Sequence, residues 1–227
     1  MDKFYRHEMK YYINQGEARM LSDRLSLVMN RDPHAGRSGE YSVRSLYFDD
    51  IANTALIEKL GGIFDRKKYR IRIYNCSPDV IRLERKEKSG AAIRKETMSI
   101  TREQCDALMH GDPSFLLEYK LALAQDMFYQ IRNRRLKPAV VVDYAREAYV
   151  HPFQDVRITM DKRLKSGTPG LNLFDPNLPM VDAMVNYDMI LEIKFNEFLP
   201  EYFHSLIQLG SSQRSAVSKY ILCRNYF

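Results

Sequence analysis

The sequence predicts an α+β fold: an eight-stranded antiparallel β-barrel with a basic interior, surrounded by helices. Three observations lead there. Successive strand-like segments carry charged side chains on one face and apolar side chains on the other. The charged faces are dominated by Arg and Lys with single glutamates between them, and lack the Thr, Ser and Asn of a wet sheet. Amphipathic helical segments lie between the strands, and if they cover the apolar faces the charged faces must turn inward. An antiparallel sheet with one solvated face shows the same alternation and stays the plain alternative on pattern alone. A closed barrel of about eight strands has room for a ligand but not for bulk water. A lining of Arg and Lys there requires an anion to compensate it.

The elements follow in order. Phe4–Ile13 reads as a strand with Arg6, Glu8, Lys10 and Tyr12 on one face. Asn14 can cap a helix running to about Met29, with Ala18, Leu21, Leu25 and Val28 as its apolar stripe. Arg31–Glu40 reads as a polar loop and Tyr41–Phe48 as a strand. Asp49 or Asp50 then caps a short helix ending at Gly61-Gly62. Lys68–Tyr74 and Val80–Lys88 form two strands across a hairpin, one face carrying Lys68, Arg70 and Arg72 and then Arg82, Glu84, Lys86 and Lys88. Ile93–Ile100 is a further strand, and Thr101-Arg-Glu-Gln104 is a capping box. Ser114–Lys137 reads as one long helix, Ala139–Val150 and Val156–Asp161 as strands, and Lys162–Met184 as a long loop suited to a lid or insert. Met189–Asn196 is a strand with Glu192, Lys194 and Asn196 on one side. Helices follow from Pro200 to about Leu209 and over Ser211–Arg224. With no linker evident, residues 1–227 read as a single domain.

Composition narrows the chemistry. The 227 residues carry 35 Lys plus Arg against 29 Asp plus Glu, a net charge of +6, which points to an anionic partner. No apolar run is long enough for a membrane span, although the basic run Arg132, Arg134, Arg135 and Lys137 leaves peripheral membrane or membrane-partner association open. Three distant cysteines argue against a disulfide scaffold or zinc finger, and no apolar signal region opens the chain, so a cytoplasmic location is expected. Glycine-rich phosphate loops, dinucleotide fingerprints and the common hydrolase motifs do not occur. Tyr and Phe fall mostly at strand positions, where packing is their ordinary use, so nucleic acid is not the expected partner.

The interleaved glutamates have two readings: salt-bridge partners of the cations, or ligands of a hard cation. Glu8, Glu84 and Glu192 each precede a lysine by two residues on the same face (Lys10, Lys86 and Lys194). Mg²⁺ or Mn²⁺ takes oxygen ligands, commonly one or two carboxylates plus phosphate oxygens.

Eight segments, in order and over nearly the whole chain, resemble the vacuolar transporter chaperone (VTC) catalytic domain. They are Arg-His-Glu-Met-Lys-Tyr-Tyr (6–12), Ser-Leu-Tyr-Phe-Asp-Asp (45–50), Tyr-Arg-Ile-Arg-Ile-Tyr (69–74), Leu-Glu-Arg-Lys (83–86), Asp-Tyr-Ala-Arg-Glu-Ala-Tyr (143–149), Arg-Ile-Thr-Met-Asp (157–161), Leu-Glu-Ile-Lys (191–194) and Ser-Lys-Tyr (218–220). The resemblance implies a polyphosphate polymerase domain of the triphosphate tunnel metalloenzyme (CYTH-like) superfamily, whose fold is a tunnel of eight antiparallel strands. It implies metal-dependent transfer of a phosphoryl group from ATP to inorganic polyphosphate. Arg70, Arg72, Lys86, Arg146, Arg157 and Lys194 would act on the transferring group, while Lys10, Lys95, Tyr144 and Lys219 would hold phosphates. Glu192, with Glu8 and Glu84, would hold Mn²⁺ or Mg²⁺. The eukaryotic form has two lysines three apart on the last helix; here Ala216 takes the first place, with Arg214 a possible substitute. The phosphate-sensing and membrane segments of that form are also not found in this sequence. The alternatives are a tripolyphosphate or nucleoside triphosphate hydrolase of the same fold and a non-catalytic polyphosphate or nucleotide sensor.

Overall fold

A computed structural model describes residues 7–90, 92–153, 155–184, 189–208 and 215–226. Among them are ten strands, β1 His7–Ile13, β2 Asn30–Arg31, β3 Glu40–Asp49, β4 Arg66–Tyr74, β5 Ser77–Ser89, β6 Ala92–Ser99, β7 Lys137–Val150, β8 Val156–Gly167, β9 Met180–Asp182 and β10 Met189–Phe195. The helices are α1 Gln15–Ser26, α2 Thr54–Leu60, α3 Arg102–Met109, α4 Ala122–Arg134, α5 Glu201–Leu206 and α6 Lys219–Arg224, with a 3-10 turn at Ser114–Glu118. The α+β class and the antiparallel pairing are those expected. The chain divides into two compact units. The first comprises 1–42, 144–164 and 184–218, and the second 43–143, 165–183 and 219–227.

In the first unit β1 pairs with β10 and β10 with β8, all antiparallel, and β2 adds to the end of β7. The apolar faces of β8 and β10 (Val156, Ile158, Met160, Leu191, Ile193) pack with Ala18, Leu21 and Leu25 of α1 and Phe203 of α5. Burying side chains of this size contributes about 1.5–3 kcal/mol each. The Asn14 reading holds: its side chain accepts from the Glu17 amide, and Glu17 returns the bond.

In the second unit β3 pairs with β4, β4 with β5 and β5 with β6. Ile71, Ile73, Ile81 and Leu83 pack against Cys105 and Leu108 of α3 and Leu123, Met127 and Ile131 of α4. The capping box at Thr101 and Gln104 forms.

Several local expectations differ from the structure. The single helix expected over 114–137 is broken, because Tyr119 and Leu121 are extended, and Arg135 turns left-handed ahead of Pro138. Proline disfavours helix in the residue before it, so Lys137 starts β7 instead. The stretch Lys162–Met184 is no open lid. β8 continues to Gly167, β9 pairs back onto it, and Leu173, Phe174 and Leu178 are buried in the second unit's core. A Cβ on Gly167 would lie 3.2 Å from the Met180 side chain, which is the closeness glycine permits there. Asn53, not Asp49 or Asp50, is the α2 N-cap; the two aspartates still accept from the Ala55, Leu56 and Thr54 amides. The last helix begins at Lys219, and residues 215–218 are not helical. Arg6 and Arg214 lie outside the described residues.

Candidate functional site

Each unit presents a charged sheet face opposite its apolar core, because side chains alternate along every strand. In the first unit the register sets Lys10 beside Glu192, Glu8 beside Lys194, Glu192 beside Thr159 and Lys194 beside Arg157. Lys10 bonds Glu8 at 2.7 Å and lies 3.6 Å from Glu192. Lys194 reaches Glu192 at 3.1 Å and Arg146 approaches it at 3.7 Å. Arg146 makes a two-pronged pair with Asp161, donating from Nε at 2.6 Å and Nη2 at 2.8 Å, and also donates to the Tyr144 hydroxyl at 3.3 Å. Arg157 donates to Asp32 at 2.6 Å and to the Tyr41 hydroxyl at 3.1 Å.

Four members of this face are withdrawn from water: Arg146 is 9% exposed, Glu192 5%, Thr159 2% and Asp161 0%. Burial acts against charge on Arg146, but Asp161, Tyr144 and Glu192 outweigh it and fix the guanidinium as a cation. Burial dominates at Lys194 and holds it down at about 8, despite Glu192 and Glu8. The Thr159 hydroxyl is buried and has no hydrogen-bond partner among the described residues. Such an orphan costs about 1–3 kcal/mol unless a water or ligand fills its place.

In the second unit β4 and β5 set Arg70 opposite Glu84, Arg72 opposite Arg82 and Lys68 opposite Lys86, and β6 sets Lys95 opposite Lys86. Glu84, 3% exposed, accepts from Arg70 Nε and Nη2 at 2.6 Å each and from Lys95 at 2.6 Å. Burial works to raise the Glu84 pKa, but Arg70, Arg72 and Lys95 overcome it and hold it at about 2. Arg70 also donates to the Tyr47 hydroxyl at 2.8 Å, and Arg72 reaches Ser45 at 3.3 Å. Burial would raise the Tyr47 pKa, yet the charges of Arg70, Arg72 and Lys219 bring it below the usual tyrosine value. Lys219 opens α6, which is docked by Tyr220 donating to Asp49 at 2.5 Å. Lys86 and Lys95 are the more exposed members of this face.

The predicted residues therefore fall into two sets. Glu8, Lys10, Tyr144, Arg146, Arg157, Glu192 and Lys194 belong to the first unit, and Arg70, Arg72, Glu84, Lys86, Lys95 and Lys219 to the second. Sequence reasoning missed Asp161, Thr159 and Tyr47 as site residues, though all three lie within recognised segments at face-sharing positions. Asp32 sits in a stretch read as polar loop and carried no signal.

Among the described residues no three His, Cys, Asp or Glu side chains converge as a metal cage. Mg²⁺ and Mn²⁺ do not require one, since phosphate and water complete their shells. Glu192 and Glu8, held by the same lysine and joined by the orphan Thr159 hydroxyl on the neighbouring strand, offer oxygen donors of the right hardness. Glu84 has Arg70 and Lys95 at 2.6 Å, closer than Lys10, Lys194 or Arg146 stands to Glu192.

The family model of the VTC domain matches residues 5–227. No curated protein matches the chain in sequence. A candidate adenylyl cyclase from Hippeastrum, described as having a dominant triphosphatase activity, superposes with a TM-score of 0.55 at 15% identity, over 96% of this chain and 95% of its own. A candidate adenylate cyclase from Bacillus halodurans gives 0.50 at 10% identity, over 91% and 86%. At such identities the likeness establishes the fold alone. Among the described residues no helix is long and apolar enough to cross a membrane.

Proposed function

Because the chain belongs to the VTC domain family, we propose that it transfers the terminal phosphoryl group of ATP to a growing inorganic polyphosphate. The family match over residues 5–227 also supports treating the chain as one functional domain. The carrying observation is that each unit presents a cationic sheet face with an arginine withdrawn from water, Arg72 and Arg146 each being only 9% exposed. Guanidinium forks suit phosphoryl oxygens, and cations in a dry setting stabilise a highly charged transition state far better than in water.

Arg70, Arg72, Lys86, Lys95 and Lys219 bind phosphoryl oxygens on the second unit's face. Lys10, Arg146, Arg157 and Lys194 do so on the first, with the Tyr144 hydroxyl beside Arg146. The attacking group is an ionised oxygen of the polyphosphate end. It forms a new P–O bond to the γ-phosphorus while the bond to the ADP oxygen breaks, and ADP leaves with the electron pair. No proton has to be removed from the nucleophile, so positioning and electrostatics suffice. Glu192 with Glu8 would hold Mn²⁺ or Mg²⁺, which would supply charge neutralisation to the phosphates.

The fold shared with the Hippeastrum protein favours a second reading, in which water replaces polyphosphate as the nucleophile. Incubation with ATP and Mn²⁺, followed by electrophoresis, separates the two. A ladder of polyphosphate is expected, and orthophosphate with no polymer would reject the polymerase.

A further inference from the structure

Glu84 stands at the centre of a three-stranded cationic patch. Arg70 and Arg72 flank it from β4, Arg82 and Lys86 from its own strand, and Lys95 from β6. Both carboxylate oxygens are engaged: Oε2 receives two donors of Arg70, and Oε1 receives the Lys95 ammonium. Arg70 also donates from Nη1 to the Tyr47 hydroxyl. The Nε–Nη2 edge of Arg70, the edge that would fork onto a phosphate, is thus closed on a single carboxylate oxygen. An incoming phosphoanion therefore meets Arg70 and Lys95 with the donors that face Glu84 already engaged.

We propose that Glu84 is a built-in competing anion, which sets the phosphate affinity of this face so that a single orthophosphate is rejected and a chain of phosphates is accepted. This rests on the reading that the second unit's face binds phosphate chains. A phosphoanion seated on Arg70 and Lys95 must either displace the Glu84 carboxylate or bear its repulsion at close range. Orthophosphate offers too few contacts to meet that cost. A triphosphate or longer chain adds contacts to neighbouring cations such as Arg72, Arg82 and Lys86, and overcomes it. A like charge placed beside a bound anion opposes binding strongly in a low-dielectric setting. The same geometry makes Glu84 a poor metal ligand, since a metal would have to expel two cations from it.

The test is calorimetric titration of the full chain with tripolyphosphate and with orthophosphate, in EDTA so that no metal takes part. Glu84→Gln keeps the side-chain size and removes the charge. It is expected to tighten tripolyphosphate binding about tenfold or more and to bring orthophosphate binding into the measurable range. Weaker or unchanged tripolyphosphate binding in Glu84→Gln would overturn the proposal, as a metal-ligand or purely structural role predicts. If wild type binds no tripolyphosphate, the phosphate-chain reading itself fails, which is a separate outcome. Should Glu84→Gln not fold, Glu84→Asp retains the charge but withdraws it by one methylene from Arg70 and Lys95. It is expected to tighten binding in the same direction by a smaller factor, and weaker binding there would equally refute the competitor role.

Discussion

Replacing Arg146 by methionine tests the first unit's charged face most sharply. The wild-type guanidinium is paired through two bonds, at 2.6 and 2.8 Å, with an Asp161 that is wholly buried. Arg146→Met leaves that carboxylate without its cation. Breaking a buried pair by removing one partner costs about 3–5 kcal/mol, while replacing both by apolar groups of similar size is often neutral. For a chain of this length each kcal/mol moves the midpoint by about 2–4 °C, so a fall of about 6–20 °C is expected. The double variant Arg146→Met with Asp161→Leu should recover most of that loss. Both variants should bind tripolyphosphate more weakly than wild type, because the phosphate partner is gone in each. Thermal unfolding followed by circular dichroism, with calorimetric titration alongside, reads both effects. If Arg146→Met melts within about 2 °C of wild type, far less than the lower end of that range, the buried-pair reasoning is wrong. If the double variant binds as tightly as wild type, Arg146 is structural only.

Three further outcomes follow from the same geometry. Glu192→Gln should lower Mn²⁺-dependent turnover by about 100-fold or more without weakening metal-free tripolyphosphate binding; a turnover assay paired with titration in EDTA checks both halves. Thr159→Val removes an unsatisfied buried hydroxyl, so it should raise stability by about 1 kcal/mol while weakening metal-dependent tripolyphosphate binding; a lowered melting point would show that the hydroxyl is already satisfied. The Glu84 carboxyl sits at about 2 in the folded chain against an ordinary 4.5, chiefly because Arg70, Arg72 and Lys95 outweigh its burial. Its stabilising contribution is therefore full above the unfolded value and is lost as pH falls from about 4.5 toward 2. Denaturant titrations over that range should show wild type losing stability faster than Glu84→Gln, by up to one proton's worth, about 1.4 kcal/mol per pH unit; equal slopes would refute the shifted carboxyl.

Which side chains share a strand face can be read from the chain alone. Alternation is a property of the extended backbone, so Arg70 and Arg72, or Glu192 and Lys194, must point the same way wherever the strand lies. The helix starts at Asn14 and Thr101 can be read likewise, since a capping box is closed by residues three apart. Which charges meet depends on how the strands pair. Arg146 finds Asp161 fifteen positions away, and Arg157 finds Asp32 across 125, through strand pairings that no local pattern encodes. The apparent loop over Lys162–Met184 was settled the same way: its prolines suggested open coil, but Leu173, Phe174 and Leu178 had apolar surface to bury and a core to bury it in. Glu84 shows the division most plainly, because its place on the face follows from its odd-or-even position along β5, whereas its enclosure by Arg70 and Lys95 depends on the register of three strands. Local periodicity fixes direction; long-range pairing alone fixes distance, and interaction energy between charges is a function of distance.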